Sequence, residues 1–222
     1  MQRDTVVFDL IQQELKRRYG VDYSIVRNLP QHTPAPTHPV YDEKFIIYQG
    51  AVNEGRSFET IIPAMRHVNA RLKIYGKGNF YEQVQALIQQ YDVQDKVLLM
   101  GHMLPSELKK ITPAAYIALM LFEETGLNQY YSLSNRFFDY IMACVPQLCV
   151  NYPEYKAIND KYGIAYMIDD VKEETIAGAL NKLLDDSALH EQLRGKTVIA
   201  REELNWNQEE KFLMEFYKNI FR

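Results

Sequence analysis

The sequence is short of the features that mark several protein classes. It has two cysteines in 222 residues, Cys144 and Cys149. Both lie in apolar surroundings and point to buried free thiols, which fits a cytoplasmic protein. No run of about 18 apolar residues occurs, so no transmembrane helix is expected. The opening MQRDTVVFDLIQQELKRRYG is amphipathic and charged, unlike a signal peptide. Positive charge is not in excess: the formal net charge is −4, which argues against nonspecific nucleic-acid binding as the main task. Neither G-x-x-x-x-G-K-S/T nor G-x-G-x-x-G is present, which excludes a P-loop and a nicotinamide fingerprint. The histidines, His32, His38, His67, His102 and His190, are scattered with no metal-ligand spacing. The acidic pairs Asp169-Asp170 and Asp185-Asp186 fall near expected element ends, where turn or helix N-terminal chemistry accounts for them.

What is present is an ordinary globular balance, 47% apolar and 24% charged, arranged in a regular alternation. Val6, Val7, Leu10, Ile11 and Leu15 fall at helical spacing and predict an amphipathic helix over about Thr5 to Arg18, ended by Gly20. Tyr23 to Arg27 reads as a short extended run. Pro30, Pro34, Pro36 and Pro39 then exclude helix and central strand, and mark a linker. From Lys44 strands are expected at Phe45–Gln49, Arg71–Tyr75, Val97–Met100, Ala114–Phe122, after Pro146, and near Ile164–Ile168. Helices are expected at Arg56–His67, Phe80–Tyr91, Pro105–Ile111, Asn135–Ala143, Val171–Leu184 and Ala188–Glu203. Apolar strands alternating with helices predict an α/β fold, a doubly wound parallel sheet with flanking helices. A last helix, Asn207 to Phe221, carries an apolar stripe of Phe212, Leu213, Phe216, Tyr217 and Ile220 that is expected to pack outside this core.

The stretch from Glu124 to Val150, ETGLNQYYSLSNRFFDYIMACVPQLCV, organises the rest. It reads as a polar loop, a short helix and a strand, following the strand that ends near Phe122. In open parallel sheets ligands sit outside the carboxyl ends of the strands, where such loops and helix N-termini lie. Ser132-Leu133-Ser134-Asn135-Arg136 offers hydroxyls, free N–H groups and a cation, a seat for a phosphate. Gly55-Arg56 repeats that logic at the first helix, with a solvated arginine as the competing reading. Gly50, Gly76, Gly78 and Gly101 each follow a strand; as single residues they read as turns, and together they line one sheet edge.

The runs YQGAVNEGRSFETIIPAM, LKIYGKGN, VLLMGHMLPSEL and TGLNQYYSLSNRFFDYIMACVPQL, in that order, resemble the C-terminal donor-binding domain of retaining GT-B glycosyltransferases, the group 1 or family 4-like enzymes. The resemblance covers about Phe45 to Phe221 and implies a Rossmann-like half of a GT-B fold. On its terms residues 1–30 are a remnant of the N-terminal domain, 31–43 a Pro-rich hinge, 44–205 the nucleotide-sugar-binding domain and 206–222 a crossing helix. It implies that Arg56 binds the donor diphosphate, that Ser134, Asn135 and Arg136 touch phosphate or sugar, and that Asp139 holds the ribose hydroxyls in place of the usual glutamate. Gly101, His102 and Leu104 lie where the base-binding loop runs. Thr125, Gly126, Leu127 and Asn128 lie where the donor sugar is held, with Glu124 as a substitute for the first family glutamate, whose place is taken by Tyr131. Ala51 stands where a second cation is usual.

The resemblance implies sugar transfer from a nucleoside-diphosphate sugar to an acceptor hydroxyl, in surface polysaccharide or glycan synthesis. Arg56 and Arg136 would stabilise the leaving diphosphate, with no metal and no other cofactor. Expected partners are the donor and a missing N-terminal domain, through which peripheral membrane contact would occur, with no nucleic acid. Exposed apolar helices invite self-association, and a fragment of this kind is expected to bind nucleotide with little activity alone. Two alternatives stay open: a noncatalytic nucleotide-sugar-binding or assembly module, favoured by Ala51 and Tyr131, and a nucleotide-sugar 2-epimerase.

Overall fold

The computed structural model describes residues 5–6, 9–37, 41 and 43–220. The chain begins with β1 (Thr5–Val6), α1 (Asp9–Tyr19) and β2 (Ser24–Ile25). β1 and β2 pair in parallel as a small sheet of their own. The helix expected from Thr5 therefore starts later, because Thr5–Val6 is held extended by its pairing with Ser24–Ile25; Val7 and Phe8 lie outside the described residues. No α1 residue is fully buried. The helix is tied to the rest by the Leu10 N–H, which donates to Glu154 at 2.7 Å, and by the Asp9–Arg27 ion pair at 2.7 Å.

The main body follows in order: β3 (Phe45–Gln49), α2 (Phe58–Ala64), β4 (Arg71–Tyr75), α3 (Tyr81–Gln90), β5 (Val97–Gly101), α4 (Pro105–Ile111), β6 (Ile117–Met120), α5 (Leu127–Tyr130), α6 (Asn135–Met142), β7 (Gln147–Val150), α7 (Pro153–Tyr162), β8 (Ala165–Ile168), α8 (Glu173–Asp185) and α9 (Ser187–Glu203). α10 (Trp206–Ile220) ends it, and Phe221 lies outside the described residues. Among the described residues no helix is long and apolar enough to cross a membrane. All six strands of the large sheet are parallel, in the order β5-β4-β3-β6-β7-β8. β3, β6 and β7 are buried at every residue, as central strands covered on both faces must be. With right-handed crossovers, α2 and α3 cover one face, and α4, α6 and α7 the other. α8 packs on α2, and α9 packs on α6 and α7.

Local chemistry explains where the elements depart from the pattern. Ser57 adopts φ 59°, ψ 24°, a left-handed conformation that an α-helix cannot contain. The first helix of the domain therefore starts at Phe58 rather than at Arg56, and its last turn tightens into a 3₁₀ turn at Met65–His67 after Pro63. The strand expected from Ala114 starts at Ile117, because Thr112–Ala114, with Pro113 in it, forms a 3₁₀ turn. α7 was absent from the expected elements: its buried side chains are Glu154 and Tyr155 alone, so no apolar stripe announces it. Pro153 in its first turn and Gly163 at φ 65° beyond its end are the signal that marks it. Both cysteines are free and buried. Cys144 takes φ 58° at the end of α6, where the Val145 N–H reaches back to the Tyr140 carbonyl at 3.0 Å, a left-handed cap usually given to glycine. Of the acidic pairs, Asp186 caps α9 by accepting from the Leu189 N–H, and Asp170 accepts from the Lys172 N–H.

The loops after β3 and β4 are locked by backbone contact. The Gly50 N–H donates to the Tyr75 carbonyl at 2.9 Å, and the Val52 N–H to the Lys77 carbonyl at 3.2 Å. A Cβ on Gly76, at φ 156°, would overlap the Gly50 carbonyl oxygen, and one on Gly78 would overlap the Val52 carbonyl oxygen. Gly101, at φ 73°, has nothing within 4 Å of its Cβ position. Gly76→Ala should cost more than about 3 kcal/mol of stability, because two backbone segments must separate. Gly101→Ala should cost only about 1 kcal/mol, the price of left-handed backbone. Urea unfolding of the two variants checks the contrast, and equal losses would refute this account of Gly76.

Candidate active site

The strand order reverses between β3 and β6, and there the crossovers leave toward opposite sides of the sheet. Such a switch point opens a crevice at the carboxyl ends of the strands. A cleft of about 660 Å³ occupies it. One wall is α6, through Ser134, Asn135, Arg136, Asp139 and Met142; another is α4 and its 3₁₀ extension, through Pro105, Leu108, Lys109 and Thr112. Gln49, Gly50, Ala51 and Arg56 close the end at the sheet. The third wall is the segment before β3, through Pro30, Thr33, Pro34 and Pro36.

That third wall is fixed, although it has no regular secondary structure. The Trp206 N–H donates to the Pro30 carbonyl at 2.8 Å, the His32 N–H to Asn207 Oδ1 at 3.0 Å, and Arg201 Nη2 to the Thr33 carbonyl at 2.6 Å. Proline rings have little entropy to lose and no N–H to satisfy, so they suit an exposed wall held by its carbonyls. The sequence marked this stretch as a linker only; His38 and Pro39 lie outside the described residues.

Two guanidinium groups share the closed end. Arg136, in the first turn of α6, is buried. Its Nη1 donates to the Gln49 carbonyl at 3.0 Å, and its plane lies 4.3 Å from the Tyr48 ring centroid and 5.1 Å from that of Phe122. Its Nε is buried without a partner. Arg56 stacks on the same Phe122 ring at 4.7 Å. Burial, and then repulsion from Arg136, depress the Arg56 pKa, whereas at Arg136 burial is outweighed by the neighbouring Tyr48, Tyr140 and Tyr155, and its pKa is raised. Ser134 makes no side-chain cap bond to α6, so the first-turn amides of Asn135 and Arg136 have no intrahelical partner and no capping side chain.

One turn further along α6, Asp139 faces the same cleft. Burial raises its pKa, while Lys109, Arg136 and a hydrogen bond from the Gln49 side chain oppose the rise. Gln49, Lys109 and Thr112 were not singled out in the sequence. Gln49 carries a readable signal, as the one polar residue in FIIYQ, at the carboxyl end of a buried strand.

The structure thus brings Gly50, Arg56, Ser134, Asn135, Arg136 and Asp139 into one cleft and leaves the other expected residues off its walls. Gly76 and Gly78 sit in the second loop, where close backbone packing requires glycine. Gly101 ends β5, and His102 and Leu104, in the loop that leads to the cleft-lining Pro105, are exposed. Glu124, Thr125, Gly126 and Leu127 are exposed at the start of α5, where Thr125 Oγ1 bonds the Gln129 side chain; the Asn128 side chain lies outside the described residues. The half-buried carboxylate of that loop is Glu123, its pKa raised by burial and by Glu59 and Glu54. Arg56 does not open a helix, as the sequence suggested: it precedes α2 by two residues and lies in the turn bent by Ser57.

Comparison with known proteins agrees with this architecture. The chain is similar in structure to S. aureus TarM, in a mutant form in complex with fondaparinux, alpha-GlcNAc-glycerol and UDP (TM-score 0.76, 16% identity, 98% of this chain and 43% of that one). It is similar to the pneumococcal O-GlcNAc transferase GtfA in complex with UDP and GlcNAc (TM-score 0.73, 15% identity, 99% and 46%). It is also similar to Anabaena HepE in complex with UDP and glucose (TM-score 0.80, 10% identity, 97% and 62%). At these identities the likeness establishes the fold, and this chain spans 43% to 62% of the length of those three. No curated protein matches the chain. Residues 34–197 match the family described as Glycosyl transferases group 1, and since that is well over half of the sequence, the chain belongs to this family.

Proposed function

We propose that this chain is the donor-binding part of a glycosyltransferase that takes a sugar from a nucleoside-diphosphate sugar and passes it to an acceptor hydroxyl. The observation that carries the reading is the pair Arg56 and Arg136, both against Phe122, with no carboxylate paired to either among the described residues. Two cations and the amides at the start of α6 form a site suited to an anion. In transfer the bond between the anomeric carbon and the diphosphate oxygen breaks, and the negative charge left on the diphosphate falls where these groups can stabilise it. The cations and amides supply what a divalent metal supplies elsewhere, so no metal is needed. Asp139 accepts hydrogen bonds from the ribose hydroxyls. The rim at His102 and Leu104 holds the base, and the loop from Glu124 to Asn128 lies toward the sugar. Retention of configuration and a role in polysaccharide or glycan synthesis follow the family resemblance.

The whole protein's acceptor site belongs to a second domain. On this chain α1, β2 and α10 offer the surface for it: Tyr19, Phe212, Met214 and Tyr217 are exposed, and a groove runs between the Gly20–Val26 segment and α10. The chain alone binds nucleotide and transfers little. A noncatalytic binding module is the second reading, because Ala51 removes one expected cation.

Thermal shift with UDP, GDP, ADP, dTDP and CMP tests the site. One diphosphate should raise apparent stability by roughly 2–4 kcal/mol at concentrations far above its Kd, and Arg56→Ala should abolish most of that shift. Stabilisation of the two proteins alike would sink the phosphate assignment.

Asp139 generates a second test. Its folded-state pKa is raised, so its contribution to stability is present in acid and is lost as pH rises through that pKa. Asp139→Asn should therefore melt higher than the wild type at pH 7 without ligand, and the gap should close as pH falls to about 3. The same substitution should weaken nucleotide binding at pH 7 by ~10-fold or more. In the wild type, binding should weaken on acidification at a higher pH than an ordinary aspartate would give. A variant that melts lower at pH 7 and binds normally would contradict both roles.

A further inference from the structure

We infer that Ser57 is the positioning residue of Arg56: the left-handed turn at Gly55 and Ser57, and not the helix that follows, sets the guanidinium against Phe122 at the closed end of the cleft. This deepens the proposed function and rests on it, because Arg56 is held there for the donor's diphosphate. Arg56 lies between two residues of left-handed backbone, Gly55 at φ 75° and Ser57 at φ 59°. Its guanidinium stacks on Phe122 at 4.7 Å and lines the cleft, whereas no α2 residue lines it. The two sides of the turn are anchored separately. The Gly55 carbonyl accepts from the N–H of Glu123 at 3.2 Å. Glu123 directly follows Phe122, so the turn is tied to the ring on which Arg56 lies. The Ser57 carbonyl accepts from the N–H groups of Thr60 at 3.2 Å and Ile61 at 2.8 Å, and from Thr60 Oγ1 at 3.1 Å.

Ser57 stands at the N-cap position of α2 but does not cap it. A capping serine has extended backbone, and its hydroxyl accepts from an amide of the first turn. Ser57 is left-handed and makes no side-chain cap bond. It is fully buried, and its hydroxyl has no partner among the described residues. Left-handed backbone is unfavourable for a residue with a Cβ, and a buried hydroxyl without a partner adds to that. Two penalties at one residue, next to a cation that lines the cleft, mark strain retained for the site. With right-handed backbone at position 57, α2 would run back to Arg56. Arg56 would then share a helix face with Thr60, four residues on, and Thr60 does not line the cleft. The left-handed turn stops the helix at Phe58 and leaves Arg56 in the loop that meets Phe122.

The test uses ADP, GDP, CDP, UDP and dTDP, each beside its monophosphate, titrated calorimetrically into the wild type. The diphosphate that binds most tightly, with its monophosphate, is then titrated into Arg56→Ala, Ser57→Gly, Ser57→Asn and Ser57→Thr. Glycine and asparagine accept left-handed backbone, whereas threonine, close to asparagine in size, is β-branched and avoids it. Wild type should prefer the diphosphate by ~10-fold or more. Ser57→Gly and Ser57→Asn should keep that preference within ~2-fold. Ser57→Thr should reduce it to ~2-fold or less, as Arg56→Ala does, and the double variant should bind the diphosphate no more weakly than Arg56→Ala alone. A residue that merely supports the fold would weaken both probes alike in Ser57→Thr and add a further loss to Arg56→Ala; that result overturns the inference. If Ser57→Thr does not fold, Gly55→Ala decides by the same ratio, because its new Cβ meets only the movable end of the Gln129 side chain, at 2.8 Å. Wild type binding none of the five diphosphates would overturn the proposed function, and this inference with it. A wild-type preference for the diphosphate that Arg56→Ala removes and the backbone variants leave unchanged overturns the inference alone.

Discussion

A parallel sheet buried on both faces has no room for unpaired charge along its strands, and that constraint shapes the rest of this molecule. β3, β6 and β7 are enclosed and apolar apart from Gln49 and Gln147, so charge is pushed to the ends of the strands. The reversal of strand order between β3 and β6 opens the sheet at one place on that edge. Arg56, Arg136, Asp139 and Gln49 meet there because the strand ends and the helix starts leave them nowhere else to go. The backbone contact of Gly50 with Tyr75, and of Gly76 with Gly50, then fixes the loop that carries Arg56.

The electrostatics of the cleft follow from its construction. Burying a guanidinium is costly unless its donors are used and its charge is answered. Arg136 uses one donor on the Gln49 carbonyl and lies against two aromatic faces, while Arg56 adds a second positive charge beside it. The structure maintains this unbalanced charge at one end and a carboxylate of raised pKa at the other. A ligand that is anionic at one end and carries hydroxyls at the other relieves both. The proline-rich segment, pinned to α9 and α10 by its carbonyls, adds a wall without adding groups that compete for that ligand. The same pins connect the cleft to the helix that carries the exposed apolar surface, so anything that docks on α10 lies two hydrogen bonds from the wall of the cleft.

Most of the body was legible in the sequence, because parallel strands and their helices write a strong pattern of apolar runs and amphipathic stretches. β3, β4 and α4 occur where that pattern put them. The misses have local causes. Thr5–Val6 looked helical by spacing and is extended by pairing with a strand some twenty residues on. α7 buries too few side chains to leave a stripe. Ser57 and Cys144 take backbone conformations that their side chains disfavour, which neither composition nor periodicity reveals.

The residues of the site divide in the same way. Local pattern marked Gly50 as following a strand, the Ser134–Arg136 run as a helix start and Asp139 as one turn on, whereas Arg56 precedes its helix instead of opening it. It did so because those positions follow from the period of the elements. The packing of distant segments set which of them share a cleft. It left Glu124 to Leu127 exposed outside it, assigned Gly76 and Gly78 to backbone packing, and made a wall of the proline segment. It also made Gln49, the last residue of a strand, part of the cleft, bonded to Arg136 and Thr112. The reason is distance along the chain: Gln49, Thr112 and Asp139 are far apart in sequence and meet only once the crossovers have laid α4 and α6 beside β3, and no local pattern encodes a contact of that kind.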